Sequence, residues 1–166
     1  MIEVVKQILA GDIEAFAKIM QSYDTQLMAY LSRMLNFNQT DAEDVLQETY
    51  ISTFVNLATF DQNLSFNAWI YRIAHNKAVN LIKKKTKLPY SDYQIEISTN
   101  PNFGDRLESI LSRLKVEDRN LLVMYHLQGL SQKEIGDIFK IPTNTVTVRL
   151  KRAKETAQKI ITKLNL

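Results

Sequence analysis

The chain has 166 residues, enough for one ordinary domain or two small ones, and its 45% hydrophobic and 23% charged residues give a globular rather than a disordered balance. It has no cysteine, which excludes disulfides and thiolate metal sites. No apolar run is long enough to cross a bilayer and no signal-peptide pattern opens the chain, so the protein is expected to be soluble and cytoplasmic, without membrane insertion. The net charge of +3 is unevenly spread: residues 1–64 carry three bases against nine acids (net −6), residues 65–104 six against two (+4), and residues 105–166 twelve against seven (+5). An acidic front suits a protein partner and a basic remainder suits nucleic acid.

In chain order the pattern is helical nearly throughout, with only 4 glycines and 3 prolines. A first helix is expected from Glu3 to Ala10, broken at Gly11-Asp12, and a second from Ile13 to Leu35, with Phe16, Ile19, Met20, Tyr23, Leu27, Tyr30, Leu31 and Leu35 at helical spacing. A third opens at Thr40, where Thr40 to Glu43 reads as a capping box, and ends near Leu57. After a short loop, Ser65 is the expected N-cap of a fourth helix ending in Lys83-Lys84-Lys85. Residues 86–104 hold Pro89, Pro101, Gly104 and a Ser/Thr/Asn cluster; they read as a linker, with a strand or short hairpin over Tyr93 to Ile97 as the plainer alternative. Four more helices are expected beyond it: Arg106 to Leu114, Glu117 to Leu127 stopping at Gly129, a short one behind the capping box Ser131 to Glu134, and, after the Ile141-Pro142-Thr143 turn, a long one to Leu164. The fold class is therefore all-α: two small helical domains, 1–85 and 105–166, joined by a flexible linker over 86–104.

Residues 131–154 have the layout of a helix-turn-helix, a short capped helix, a short turn and a basic amphipathic helix. At 100° per residue, Val146, Leu150 and Ala153 fall together on a core side. Asn144, Thr147, Val148, Lys151 and Arg152 fall on the opposite side and offer donors, acceptors, an apolar group for a thymine methyl, and cations. Arg149 and Lys154, on the flanks, suit phosphates, as do Ser131 and Gln132 at the start of the short helix. A solvated basic face is the plainer reading.

The fourth helix repeats the question. Arg72, Asn76, Asn80, Lys83 and Lys87 cluster within about 60° of Trp69, opposite the apolar residues. An aromatic among amides and cations is the surface expected for unstacked bases and their phosphates, which implies single-stranded or melted DNA. The plainer reading packs Trp69 under the preceding loop, against Phe60 or Phe66. On the third helix Val45, Leu46, Tyr50, Phe54 and Leu57 are expected to face inward. Asp44, Gln47, Glu48 and Ile51 share one outward face, acidic with an apolar edge, which suits docking on a basic protein helix. Asp44 and Glu48 have no third ligand at metal spacing, and the two histidines, His75 and His126, are isolated, so no metal, cofactor or catalytic residue is expected.

Together the segments GDIEAFAKIM, DAEDVLQETYISTFVNL, FNAWIYRIAHNKAVN and LSQKEIGDIFKIPTNTVTVRLKRAK resemble the extracytoplasmic-function (ECF) sigma factors of bacterial RNA polymerase, and the resemblance covers almost the whole chain. It implies a sigma factor that binds core polymerase and directs initiation by recognising −35 and −10 elements. Core docking falls to Asp44, Gln47, Glu48 and Ile51. Capture of the melting −10 element, with one base flipped into a pocket, falls to the loop Asp61, Gln62, Asn63 and Ser65 and to Trp69, Arg72, Asn76, Asn80, Lys83 and Lys84. The −35 face comprises Ser131, Gln132, Asn144, Thr145, Thr147, Val148, Arg149, Lys151 and Arg152. The resemblance also implies an anti-sigma partner. The rivals are a free-standing regulator that binds duplex DNA as a dimer, for which no heptad seam is visible; a nuclease, which needs convergent acids; and a decoy that docks polymerase without reading promoters.

Overall fold

The computed structural model describes residues 2–35, 38–86 and 103–164. Helices α1 (Ile2–Leu9), α2 (Ile13–Met34), α3 (Gln39–Asn56), α4 (Phe66–Thr86), α5 (Phe103–Ser112), α6 (Val116–His126), α7 (Gln132–Phe139) and α8 (Thr143–Leu164) follow in that order, with one 3-10 turn, Leu57–Thr59, after α3. Among the described residues there is no strand. Contacts gather the chain into two units, Met1–Leu81 and Ile82–Leu166. The expected linker core and its alternative strand at Tyr93 to Ile97 lie outside the described residues.

In the first unit α2 starts where Asp12 caps the Ala15 N–H at 3.0 Å. Its inward stripe of Phe16, Ile19, Leu27, Leu31 and Met34 is buried at helical spacing, and Val5 and Ile8 of α1 join the core. Burying each such side chain contributes about 1.5–3 kcal/mol of transfer free energy. Tyr30 of α2 stacks edge-on against Tyr71 of α4 at 5.4 Å, and its hydroxyl is hydrogen-bonded to His75 Nδ1 at 2.9 Å. Burial pushes the His75 imidazole down to about 4, because the interior disfavours the charged form.

Two expectations for α3 are corrected. Its cap is Asn38, whose side chain accepts from the Asp41 N–H at 3.0 Å, so the helix starts a residue before Thr40 and the Thr40–Glu43 box does not form. Glu43 accepts from Gln39 Nε2 instead. The buried face is Ala42, Val45, Leu46, Thr49 and Thr53, while Phe54 is 47% exposed and touches Phe16 edge-on at its border. The two threonines can be buried because each hydroxyl donates to a carbonyl one turn back, Thr49 to Val45 and Thr53 to Thr49.

In the second unit α5 begins at Phe103 rather than Arg106, so Gly104 is helical; a glycine inside a helix costs only about 1 kcal/mol, and a sequence signal based on it overstates the break. Gly129 ends the α6 region with φ +65, and the Leu130 N–H returns to the Met124 carbonyl at 3.0 Å. The Ser131 capping box forms in full: Ser131 Oγ accepts from the Glu134 N–H, and Glu134 Oε2 accepts from the Ser131 N–H. Lys140 closes α7 in the left-handed region, at φ 55. Beside it the chain turns so tightly that a Cβ on Gly136 would stand 2.8 Å from the Ile141 carbonyl oxygen. Helix α8 then packs Val146, Leu150 and Ala153 into the core, as its periodicity predicts.

Candidate nucleic-acid interface

The loop before α4 is fixed from both ends and from below. Asp61 Oδ1 accepts from the Asn63 backbone N–H at 2.9 Å and from Asn63 Nδ2 at 3.0 Å, an Asx turn, and Ser65 Oγ accepts from the Ala68 N–H at the helix cap. Beneath it Phe60, Phe66 and Trp69 are buried in mutual contact at 5.0–5.5 Å between ring centroids. This corrects the exposed reading of Trp69: the indole is 9% exposed and belongs to the cluster under the loop, the plainer of the two expectations. A ring packed against two others gains dispersion and quadrupole contacts that water would not supply. The stacking platform is therefore not on α4's surface, and what Trp69 supplies is a rigid floor for the loop.

Of the other residues expected on that α4 face, Lys87 lies outside the described residues. Asn76, Asn80, Lys83 and Lys84 are exposed, Arg72 is half-buried, and Asp61, Gln62, Asn63 and Ser65 are exposed in the loop above. The three lysines lie in the last turn of α4, where the helix dipole also favours cations. On α3, Asp44, Gln47, Glu48 and Ile51 are all exposed on one face, Ile51 to 64%. Lys77 of α4, a residue outside the expected set, joins these two surfaces: it forms an ion pair with Glu48 at 3.3 Å.

On α8, Asn144, Thr147, Val148, Lys151 and Arg152 are exposed and Thr145 is half-buried. Four members of the expected −35 set, Arg149, Thr147, Gln132 and Ser131, are engaged within the protein. Arg149 Nη1 donates to Glu117 Oε2 of α6 at 2.8 Å, with only about a third of each side chain exposed, 34% and 35%. The Thr147 hydroxyl donates to Gln132 Oε1 at the start of α7. Lys154, expected at a phosphate, lies over the Tyr125 ring at 5.6 Å. Ser131 serves its own cap. Arg149 and Ser131 thus first hold the recognition face in place: one pins α8 to α6, the other shapes the start of α7. Nothing local in the sequence pairs Glu117 with Arg149, 32 positions apart.

Comparison with known proteins follows the same division. Residues 19–88, which contain α3, the loop and α4, match the family Sigma-70 region 2, and residues 104–156 match Sigma-70, region 4. The chain is 30% identical over 175 residues to the ECF RNA polymerase sigma factor SigW of Bacillus subtilis, with 93% of each chain covered. The chain belongs to the ECF sigma factors. It is also 30% identical over 172 residues to the ECF RNA polymerase sigma-E factor of Escherichia coli K12, covering 92% of this chain and 89% of that one. Its fold is that of the sigma factor RpoE in the co-crystal structure with the anti-sigma factor NepR from Bartonella quintana, with a TM-score of 0.74 at 16% identity, covering 89% of this chain and 96% of that one. As a sigma factor the protein binds RNA polymerase core and promoter DNA and directs promoter-specific initiation; the dimeric regulator is not favoured, because both sigma regions are present in one chain. The family is one of initiation factors, not of catalysts. Among the described residues there is no group of three metal-ligating side chains, and no helix is long and apolar enough to cross a membrane.

Proposed function

We propose that this sigma factor divides its work among three exposed faces. Asp44, Gln47, Glu48 and Ile51 of α3 dock on a basic helical surface of core polymerase. The loop from Asp61 to Ser65, with Arg72, Asn76, Asn80, Lys83 and Lys84, captures the −10 strand as it melts, the amides supplying both donors and acceptors for an unstacked base and the lysines meeting phosphates. Asn144, Thr145, Thr147, Val148, Lys151 and Arg152, with Gln132, meet the −35 duplex in the major groove. The carrying observation is what α3 and α4 each present: an exposed acidic face on α3, and along α4 an exposed run of amides and lysines that follows a loop held from beneath.

The domain roles follow: 1–85 for core docking and −10 capture, 86–104 as linker, and 105–166 for −35 reading. The protein acts in the cytoplasm, where polymerase is, and carries out no chemistry itself. An anti-sigma factor is its expected regulator, by analogy with the complex of its structural neighbour RpoE. The test is promoter-dependent transcription with purified bacterial core polymerase on a pool of promoter fragments, with and without the protein, and with Asp44→Arg/Glu48→Arg. Specific starts with the wild type and none with the double variant support the assignment. Specific starts that survive both reversals would move docking off α3. No specific starts, but retention of a duplex sequence by the protein alone, would return the regulator.

A further inference from the structure

The Glu48–Lys77 pair is the feature that the three-face division leaves unused. Glu48 belongs to the α3 docking face. Lys77 follows Asn76 directly and precedes Asn80 by three positions and Lys84 by seven, so it stands on the border of the α4 amide–lysine face. Its ammonium lies 3.3 Å from the Glu48 carboxylate, with 33% of the lysine side chain and 61% of the glutamate side chain exposed. One ion pair therefore spans the boundary between a surface that takes a basic protein and a surface that takes phosphates.

Each of those partners competes for one half of the pair. A basic helix docked on Asp44 and Glu48 offers Glu48 a replacement cation; a phosphate beside Asn80 offers Lys77 a replacement anion. In the free protein Glu48 neutralises Lys77 and adds a negative charge where a phosphate would approach. An exposed pair of this kind is weak, contributing at most about a fivefold bias, so either partner is able to displace it. The lysine has four rotatable methylenes with which to swing from α3 toward the lysine-rich end of α4.

We infer that Lys77 is a phosphate-contacting residue of the −10 face that Glu48 holds masked in the free protein and releases when α3 docks on polymerase. The inference rests on the α3 docking assignment. The ion pair then couples the two ligands: docking frees a cation for the strand, and by linkage strand capture frees Glu48 for polymerase by the same factor, at most about fivefold. Promoter binding by the free protein is weakened in the same measure.

The test uses the full-length protein and a fluorescent oligodeoxythymidine, read by anisotropy over a salt series, with wild type, Glu48→Gln, Lys77→Gln and the double variant. Glu48→Gln is expected to tighten binding about two- to fivefold and to steepen the salt slope by about 0.7, the value of one added contact on a single strand. In the double variant both gains are expected to vanish. If the double variant binds as tightly as Glu48→Gln, Glu48 acts through general repulsion and the masking of Lys77 is refuted. The second arm assembles holoenzyme from purified core. Lys77→Gln is expected to lower the salt slope of promoter binding by about 0.7. Weakened core assembly with an unchanged slope would instead make Lys77 a positioning residue for the docking face and overturn the proposal. Failure of the docking assignment reads out separately, as unimpaired core assembly by Asp44→Arg/Glu48→Arg, while the oligonucleotide arm still reports whether the pair masks Lys77.

Discussion

The indole of Trp69 lies 5.0 Å, centroid to centroid, from the ring of Phe60 and 5.5 Å from that of Phe66, directly under the loop that the two phenylalanines bracket. Being the only tryptophan, it reports its own surroundings. Its emission is expected to be blue-shifted, weakly quenched by acrylamide and little changed by single-stranded DNA. Strong quenching by an oligonucleotide would restore the stacking role. Trp69→Ala is expected to cost about 3–5 kcal/mol, the loss for a large buried ring, and Trp69→Phe about 1–2 kcal/mol, measured by urea unfolding.

The Arg149–Glu117 pair ties the recognition helix to α6 at 2.8 Å. Arg149→Ala and Glu117→Ala are each expected to destabilise the second unit by about 1 kcal/mol, with a coupling of about 0.5–1 kcal/mol in the double-mutant cycle. Both effects should shrink at high salt, since the groups are one-third exposed. If Arg149 served DNA alone, Arg149→Ala would leave stability unchanged and lower the salt slope on a −35 duplex by about 0.9.

What could be read ahead of the structure was what periodicity controls. The two-unit helical plan, the core side of α8 and the outward set on α3 each depend on positions one turn apart, and local spacing carries that information. Trp69 shows where the method stops. A wheel ranks directions around one helix, and its polar side for Trp69 held only until a preceding loop folded over it with Phe60 and Phe66. Burial of Thr49 and Thr53 likewise depends on hydroxyl bonds back to their own helix, which a hydropathy stripe counts as polar. Glu117–Arg149 and Glu48–Lys77 join residues 32 and 29 positions apart, and no local signal encodes either partner choice. The α3 cap went to Asn38 rather than Thr40: both are good cap residues two positions apart, and residue preference alone does not choose between them.

The turn between α7 and α8 gives two substitutions of opposite sign. Gly136→Ala puts a methyl 2.8 Å from the Ile141 carbonyl oxygen, a backbone atom that cannot step aside cheaply, and is expected to cost about 1–3 kcal/mol and to weaken −35 duplex binding by shifting α8. Lys140→Gly relieves a left-handed residue at φ 55 and is expected to add about 0.5–1 kcal/mol. Thermal unfolding checks both, and equal stabilities for the two variants would remove the turn geometry as the cause.

The buried imidazole gives a pH dependence with a definite sign. His75 is held at about 4 in the folded protein by loss of solvation, against about 6.5 when unfolded. Between those values the unfolded chain binds the extra proton, so stability rises with pH across this window. The contribution is fully present above about pH 6.5 and is lost as pH falls toward 4, at about 1.4 kcal/mol per unit and about 3 kcal/mol in all. Below about pH 4 both states carry the proton and the slope from this group ends. His75→Gln keeps a polar partner near the Tyr30 hydroxyl and removes the titration, so its unfolding free energy should be lower than wild type at pH 7 but nearly flat from pH 6.5 to 4.5 relative to it. Parallel pH profiles for the two proteins would mean that the imidazole takes its proton without unfolding the first unit, through an opening between α2 and α4 that admits water to the Tyr30–His75 bond.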